Sequence, residues 1–144
     1  GYDYVVCLLD MDRLNSVPSE MKKYRVFKNR KENKGIMFIE TNPCTEFWFL
    51  LHFLPTLQVK HYTSYEQLLP ELQRYMPGYE KTKKYFIRTK LYDFLVKHGN
   101  LDNAKKNGEA LSELAALHPE DRIAYSQVTK VLRLLEHLKS ENIR

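Results

Sequence analysis

Two aspartates separated by a single methionine, Asp10 and Asp12, follow directly on the apolar run "VVCLL". A buried segment avoids charge at that density unless the charge has a task. In an extended backbone, residues two apart face the same side, so the pair converges if the strand continues through both. Convergent carboxylates repel each other, and the usual relief is a divalent cation with hard oxygen ligands, Mg²⁺ or Mn²⁺. The plainer alternative has Asp12 capping the next turn and Asp10 meeting a lysine. A third acid, Glu46, stands in "ETNPCTEFWFLLHF", which closes a second apolar run and opens a helix. That first turn is expected on the same sheet edge as the two aspartates, where Glu46 would reach the same metal. Stabilisation of the helix dipole alone is its alternative role.

Other reactive side chains give weaker signals. Lys81 is a candidate electrophile for developing charge, although an exposed lysine usually has no such task. His52 stands six residues after Glu46, on a different helix face, and reads as packed or hydrogen-bonded. The five histidines show no zinc spacing. Cys44 near a helix start could have a lowered thiol pKa, yet no base lies nearby in sequence, so it reads as core.

The acids need a sheet to hold them. Residues 2–9, "YDYVVCLL", read as a buried strand, followed by a break at 16–18 and a helix from about 20 to 33 with Ser19 as its cap. "GIMFIET" at 35–41 is a second buried strand, so the order strand–helix–strand predicts a parallel βαβ unit with a right-handed crossover. Asn42 is placed to cap the next helix, with Pro43 at its first position and Pro55 at its end. Beyond it the chain reads as all helix: from Ser64, from about 81 to 98, from about 101 to 117, and from near Ser126 onward. In the last, Val128, Val131, Leu132, Leu135 and Leu138 recur as one buried stripe. The fold class is therefore α/β, with residues 1–58 a partial α/β domain and residues 59–144 a helical region packed on it. Two parallel strands make no stable sheet alone, so further strands are expected, ahead of Gly1 in preference to strands supplied by a neighbouring chain.

Composition sets outer bounds. With 144 residues, 43% hydrophobic and 12% aromatic, the chain suits one ordinary globular domain and is neither disordered nor low in complexity. Two cysteines outside any CxxC pair argue against a disulfide framework and for a cytoplasmic protein. The run "FWFLLHFL" is too short to span a bilayer, and no secretory signal is visible, so no membrane partner is expected. The net charge is +5. Residues 22–34 carry seven basic side chains, Lys28, Arg30 and Lys31 among them, against Glu32 alone. Residues 79–90 interleave Lys81, Lys83, Lys84, Arg88 and Lys90 with Tyr79, Tyr85 and Phe86. Lysines neutralising phosphates beside stacking aromatics suit nucleic acid, whereas either run alone also suits a solvated helix face.

The combination of "LLDMDRL" and "NPCTEFWFLLHF" resembles the RloB family of bacterial proteins encoded beside restriction–modification and phage-defence genes. Asn42, Pro43, Cys44, Glu46, Trp48, His52 and Phe53 carry the likeness. Thr41 stands where a serine is usual, and Thr45 where an aromatic is. "GYEKTKKY" resembles a family Tyr-x-Lys stretch, and "AYSQVTKVLRLL" resembles only weakly the Asn-Pro-Ser-Thr that often opens the last helix. The resemblance implies a Toprim-like sheet and Mg²⁺-dependent phosphodiester chemistry akin to that of OLD-family nucleases, with Asp10, Asp12 and Glu46 as metal ligands. Nucleic acid is the implied partner, DNA ahead of RNA, with a defence-system ATPase or other protein and a second copy of the chain as further partners. A Toprim glutamate should also lie ahead of the DxD. None of the nine residues before Asp10 is glutamate, so the stretch alone is expected to be inactive.

Two other classes compete. Haloacid-dehalogenase-like phosphatases also begin with an apolar strand and DxD, but Arg13-Leu14 stands where they need a small or hydroxyl residue, and their later paired aspartates are missing. A non-catalytic module that binds nucleic acid or protein remains the main alternative.

Overall fold

In the computed structural model, which describes residues 1–142, three strands form one mixed sheet in the order β1-β2-β3. β1 (Val5–Asp10) lies parallel to β2 (Ile36–Asn42), from Val5 opposite Ile36 to Asp10 opposite Thr41. Helices α1 (Asp12–Ser16) and α2 (Pro18–Lys28) make the crossover. β3 (Tyr125–Ser126) pairs antiparallel with the end of β2, Thr41 opposite Ser126. Between β2 and β3 run α3 (Glu46–Leu51), α4 (Tyr65–Tyr75), α5 (Lys83–Thr89), α6 (Leu91–His98) and α7 (Leu101–Leu117); α8 (Val128–Asn142) follows. The chain is thus an α/β fold whose second half is helical apart from two-residue β3. No helix among the described residues is long and apolar enough to cross a membrane.

Several expected boundaries shift for identifiable reasons. Pro18, not Ser19, opens α2, because its fixed φ suits a first helical position; Val17 is the N-cap and gives no side-chain cap bond. α2 stops at Lys28 rather than 33: Arg30 turns extended, and the Asn33 amide donates to the Phe27 carbonyl at 2.7 Å. Asn42 does not cap a helix. It stays in β2, and α3 begins only at Glu46 after a cis Asn42–Pro43 bond. α3 ends at Leu51, four residues before Pro55, with His52 as its C-cap. The expected helix 81–98 is two, broken at Lys90, which takes the left-handed conformation with φ 49°.

Burial differs most at the ends. β1 was expected to be buried, but among the described residues it has a neighbour on one edge only, and Val5, Val6 and Leu8 are 36–62% exposed. Central β2 carries the burial instead, at Phe38, Ile39, Thr41 and Asn42. The α8 stripe is half-buried: Val128 and Leu132 pack against the core, Thr129 is the helix's fully buried residue, and Leu135 stands exposed. The core runs through α3, whose Phe47, Leu50 and Leu51 meet Leu68 and Leu72 of α4 and Leu111 of α7. Each such side chain contributes about 1.5–3 kcal/mol by leaving water. Ser64 does cap α4, its hydroxyl accepting from the Gln67 amide, while Gln67 accepts from the Thr63 amide.

α3 ends against the α6–α7 junction at Gly99. A Cβ there would lie 2.7 Å from His52 Cβ and 2.8 Å from the Leu95 carbonyl oxygen, too close for either to give way. Gly99→Ala should therefore lower stability by about 1–3 kcal/mol, read as a fall in the urea midpoint; an unchanged midpoint would refute the tight junction. His52 is buried on Trp48, with Nδ1 2.8 Å from the Trp48 carbonyl oxygen. Burial holds its pKa below the ordinary 6.5, outweighing the backbone carbonyls that favour the charged ring. The unfolded chain therefore takes up the proton first, so His52 withdraws stability as pH falls through 6.5 and below. His52→Gln should flatten the loss of stability between about pH 7.5 and 5.5.

Candidate functional site

The C-terminal end of β1 and the start of α3 share one edge of the sheet, and a cross-link fixes their relation. Asp10 Oδ1 accepts from both the backbone amide and the hydroxyl of Thr45, each at 2.8 Å. Thr45 is the N-cap of α3, but its hydroxyl is spent on Asp10 and not on its own helix. The other Asp10 oxygen faces the Lys81 ammonium at 3.4 Å. Glu46, the first residue of α3, is 2% exposed. Its Oε1 accepts from the Tyr79 hydroxyl at 3.0 Å and lies 3.5 Å from the same Lys81 ammonium. One lysine thus bridges two carboxylates that come from elements 36 residues apart (46 − 10).

Electrostatics follow from this packing. Burial alone pulls the Lys81 pKa down, but Glu46 and Asp10 outweigh it and hold the ammonium above its ordinary value. The Lys81 ammonium also stands 5.6 Å from the centre of the Tyr65 ring. Burial first, and the Glu46 carboxylate second, push the Tyr79 and Tyr65 hydroxyls and the Cys44 thiol upward. Cys44 is therefore a protonated core thiol. It lies beside Glu46, whose Oε2 is among the described residues a buried oxygen with no partner of hydrogen-bonding geometry.

Asp12 lies elsewhere. β1 ends at Asp10, and Met11 takes helical dihedrals (φ −91°, ψ −11°), so the two-residue alternation of a strand stops before Asp12. Asp12 opens α1, its Oδ1 accepting from the Arg13 amide at 2.7 Å, and it borders a separate hollow with Ser16, Thr63 and Ser64. It makes no hydrogen bond or ion pair with Asp10, Glu46 or Lys81. Among the described residues, no three histidine, cysteine, aspartate or glutamate side chains gather as a metal group.

The basic residues divide. Lys28 is committed to Glu40 at 3.1 Å and lies over the Tyr24 ring. Arg30 lies over Phe27 and Arg88 over Tyr85, and Lys31, Lys83 and Lys84 are exposed. None of these five pairs with an acid among the described residues.

Sequence spacing did hold a signal for Tyr79 and Lys81. They sit two apart in a segment without helix, so both side chains can reach one partner, and that partner is Glu46. The Tyr-x-Lys stretch docks onto the Asn-Pro-Cys-x-Glu turn.

An α/β protein with a helical second half and an acid pair at the β1 end is the class these features define. The chain belongs to the family of RloB-like proteins, which it matches over residues 1–138, nearly its whole length. No curated protein and no solved structure matches it.

Tyr79→Phe removes the hydroxyl that supports buried Glu46. Stability should fall by about 1–3 kcal/mol, measured by urea unfolding at neutral pH. A change below about 0.5 kcal/mol would show that the bond carries little.

Proposed function

We propose that the protein cleaves phosphodiester bonds of nucleic acid, DNA ahead of RNA, with Mg²⁺ or Mn²⁺, and that it serves phage defence as RloB-family kinship implies. The observation that carries this reading is the approach of Asp10 Oδ2 and Glu46 Oε1 to one ammonium, at 3.4 and 3.5 Å. A site that brings two carboxylates to one cation suits a metal. Glu46 Oε2, buried without a partner, adds a free donor atom. Mg²⁺ is commonly held by one or two carboxylates, with water and substrate phosphate completing its shell, so the donor set fits. Asp10 and Glu46 would hold it, and Asp12 would join them only after a change at Met11.

Held there by Asp10 and Glu46, Mg²⁺ or Mn²⁺ would lower the pKa of a bound water and neutralise charge on the phosphate. The chain's own residues set the frame. Thr45 pins one oxygen of Asp10 and leaves the other facing the site. Tyr79 orients Glu46. Lys81, half-exposed and long, is the group to turn from the carboxylates toward a phosphate oxygen and hold its negative charge. Arg30 and Lys31 on one run, and Lys83, Lys84 and Arg88 on the other, would grip the backbone, whereas Lys28 of the first run is held by Glu40. A defence-system ATPase or another copy of this chain belongs to the same proposal as a partner.

A second reading, a binding module without catalysis, is favoured by Lys81 itself, which already compensates the acid pair. Plasmid DNA and RNA incubated with Mn²⁺ and protein of the complete natural sequence separate the two. Cleavage should vanish in Asp10→Ala and Glu46→Ala, whose folding is checked by circular dichroism, and should fall roughly 100-fold in Lys81→Ala. Salt-sensitive binding with no cleavage by any of the proteins would leave only the module.

A further inference from the structure

Met11 lines a cavity of about 330 Å³. Arg25 and Lys28 enter it from α2, and Arg122 from the turn that leads into β3. Its one acid, Glu40, is already satisfied: the hydroxyls of Tyr24 and Tyr125 donate to it at 2.5 and 2.9 Å, and the Lys28 ammonium at 3.1 Å. Burial pushes the Glu40 pKa up, but these three donors and the charge of Lys28 outweigh it and keep the carboxylate ionised. Glu40 therefore takes up the charge of Lys28 and leaves Arg25 and Arg122, neither of which makes an ion pair among the described residues. Two guanidinium groups without acids at one cavity form an anion site, and the planar fork of each matches a phosphate.

Arg122 sits on a fixed turn. It takes the left-handed conformation with φ 51°, and the backbone on both sides is tied: Asp121 N to the His118 carbonyl at 3.1 Å, the Ile123 carbonyl to Asn42 Nδ2 at 3.1 Å, and Ala124 N to the Lys60 carbonyl at 2.7 Å. The rest of the wall mixes apolar and polar side chains, His118 among them. Met11, Met21 and Ile123 offer apolar surface, and the Asn42 amide is held in orientation by Asn15 at 2.9 Å. Cations, apolar surface and an oriented amide in a space of this size suit a phosphate attached to a flat heterocycle. They do not suit a duplex.

We infer that this cavity binds a nucleoside phosphate, free or as one unit of a single strand, with Arg25 and Arg122 on the phosphate. Asn15, Asn42 and Arg122 also border the hollow that contains Asp12, so a strand seated here leads toward the end of β1. The site needs no metal, and its failure would leave the cleavage proposal untouched.

Calorimetric titration of the full chain in EDTA at low salt tests it, with adenosine, AMP, GMP and a 5′-phosphorylated pentanucleotide as ligands. At least one phosphate-bearing ligand should bind, and adenosine should bind roughly tenfold or more weakly. The double variant Arg25→Gln/Arg122→Gly keeps the left-handed turn and should lose roughly tenfold or more in affinity. Lys139→Gln, outside the cavity, should bind as the parent does. Binding of AMP or GMP identifies a free nucleotide as the source, and binding of the pentanucleotide alone identifies a strand. No binding by any phosphate-bearing ligand, or equal binding by the double variant, overturns the inference.

Discussion

A carboxylate buried at the start of α3 is the constraint around which the rest is arranged. Burial of an ion costs several kcal/mol unless charge and hydrogen bonds offset it. Glu46 meets that cost with the Tyr79 hydroxyl on one oxygen and the Lys81 ammonium nearby, while the other oxygen stays unpaired. Because Lys81 also faces Asp10, the segment 79–82 is drawn onto both α3 and β1. The apolar side chains beneath Glu46 contribute more in total, at about 1.5–3 kcal/mol each. The half-exposed lysine is screened and contributes less. Packing therefore holds α3 in place, and the acid determines which parts of the chain must meet over it.

Much of this was legible in sequence where the signal was local. The βαβ order, the cap at Ser64 and the span of α7 follow from apolar runs, a serine followed three residues later by glutamine, and the His118-Pro119 stop. The likeness to the RloB family, carried by "LLDMDRL" together with residues 42–53, extends over nearly the whole chain. What escaped was non-local or conformational. Met11 leaves the strand one residue early, which separates Asp12 from Asp10, and no residue type there announces it. Lys90 breaks a helix in a conformation usually marked by glycine. Tyr79 and Lys81 have a telling spacing, but their partner lies 33 residues away for Tyr79, beyond any periodic pattern. β3 is two residues long and has no pattern at all.

The charge of the chain is likewise less uniform than its sum. The +5 excess is concentrated in two runs. Lys28 of the first is drawn inward by Glu40, whereas Lys83 and Lys84 on α5 remain exposed without acids among the described residues. Arg122, outside both runs, joins Arg25 only through the fold. Local density of basic residues and the charge available to a ligand are thus different quantities, and buried acids decide the difference.

The sheet is assembled from distant parts of the chain. β2 gains its first neighbour from residues 5–10, but its other edge is closed by β3 and by Gln127, whose side chain accepts from the Glu40 amide across 87 positions. A growing polypeptide must therefore reach Gln127 before that margin is sealed. Until then the central strand has open backbone groups on one side, available to any passing extended segment. Late closure of this kind raises the mean sequence separation of contacts and slows folding. The two-residue β3 thus acts as a clasp on this edge of β2, small in area and decisive for when that edge is closed.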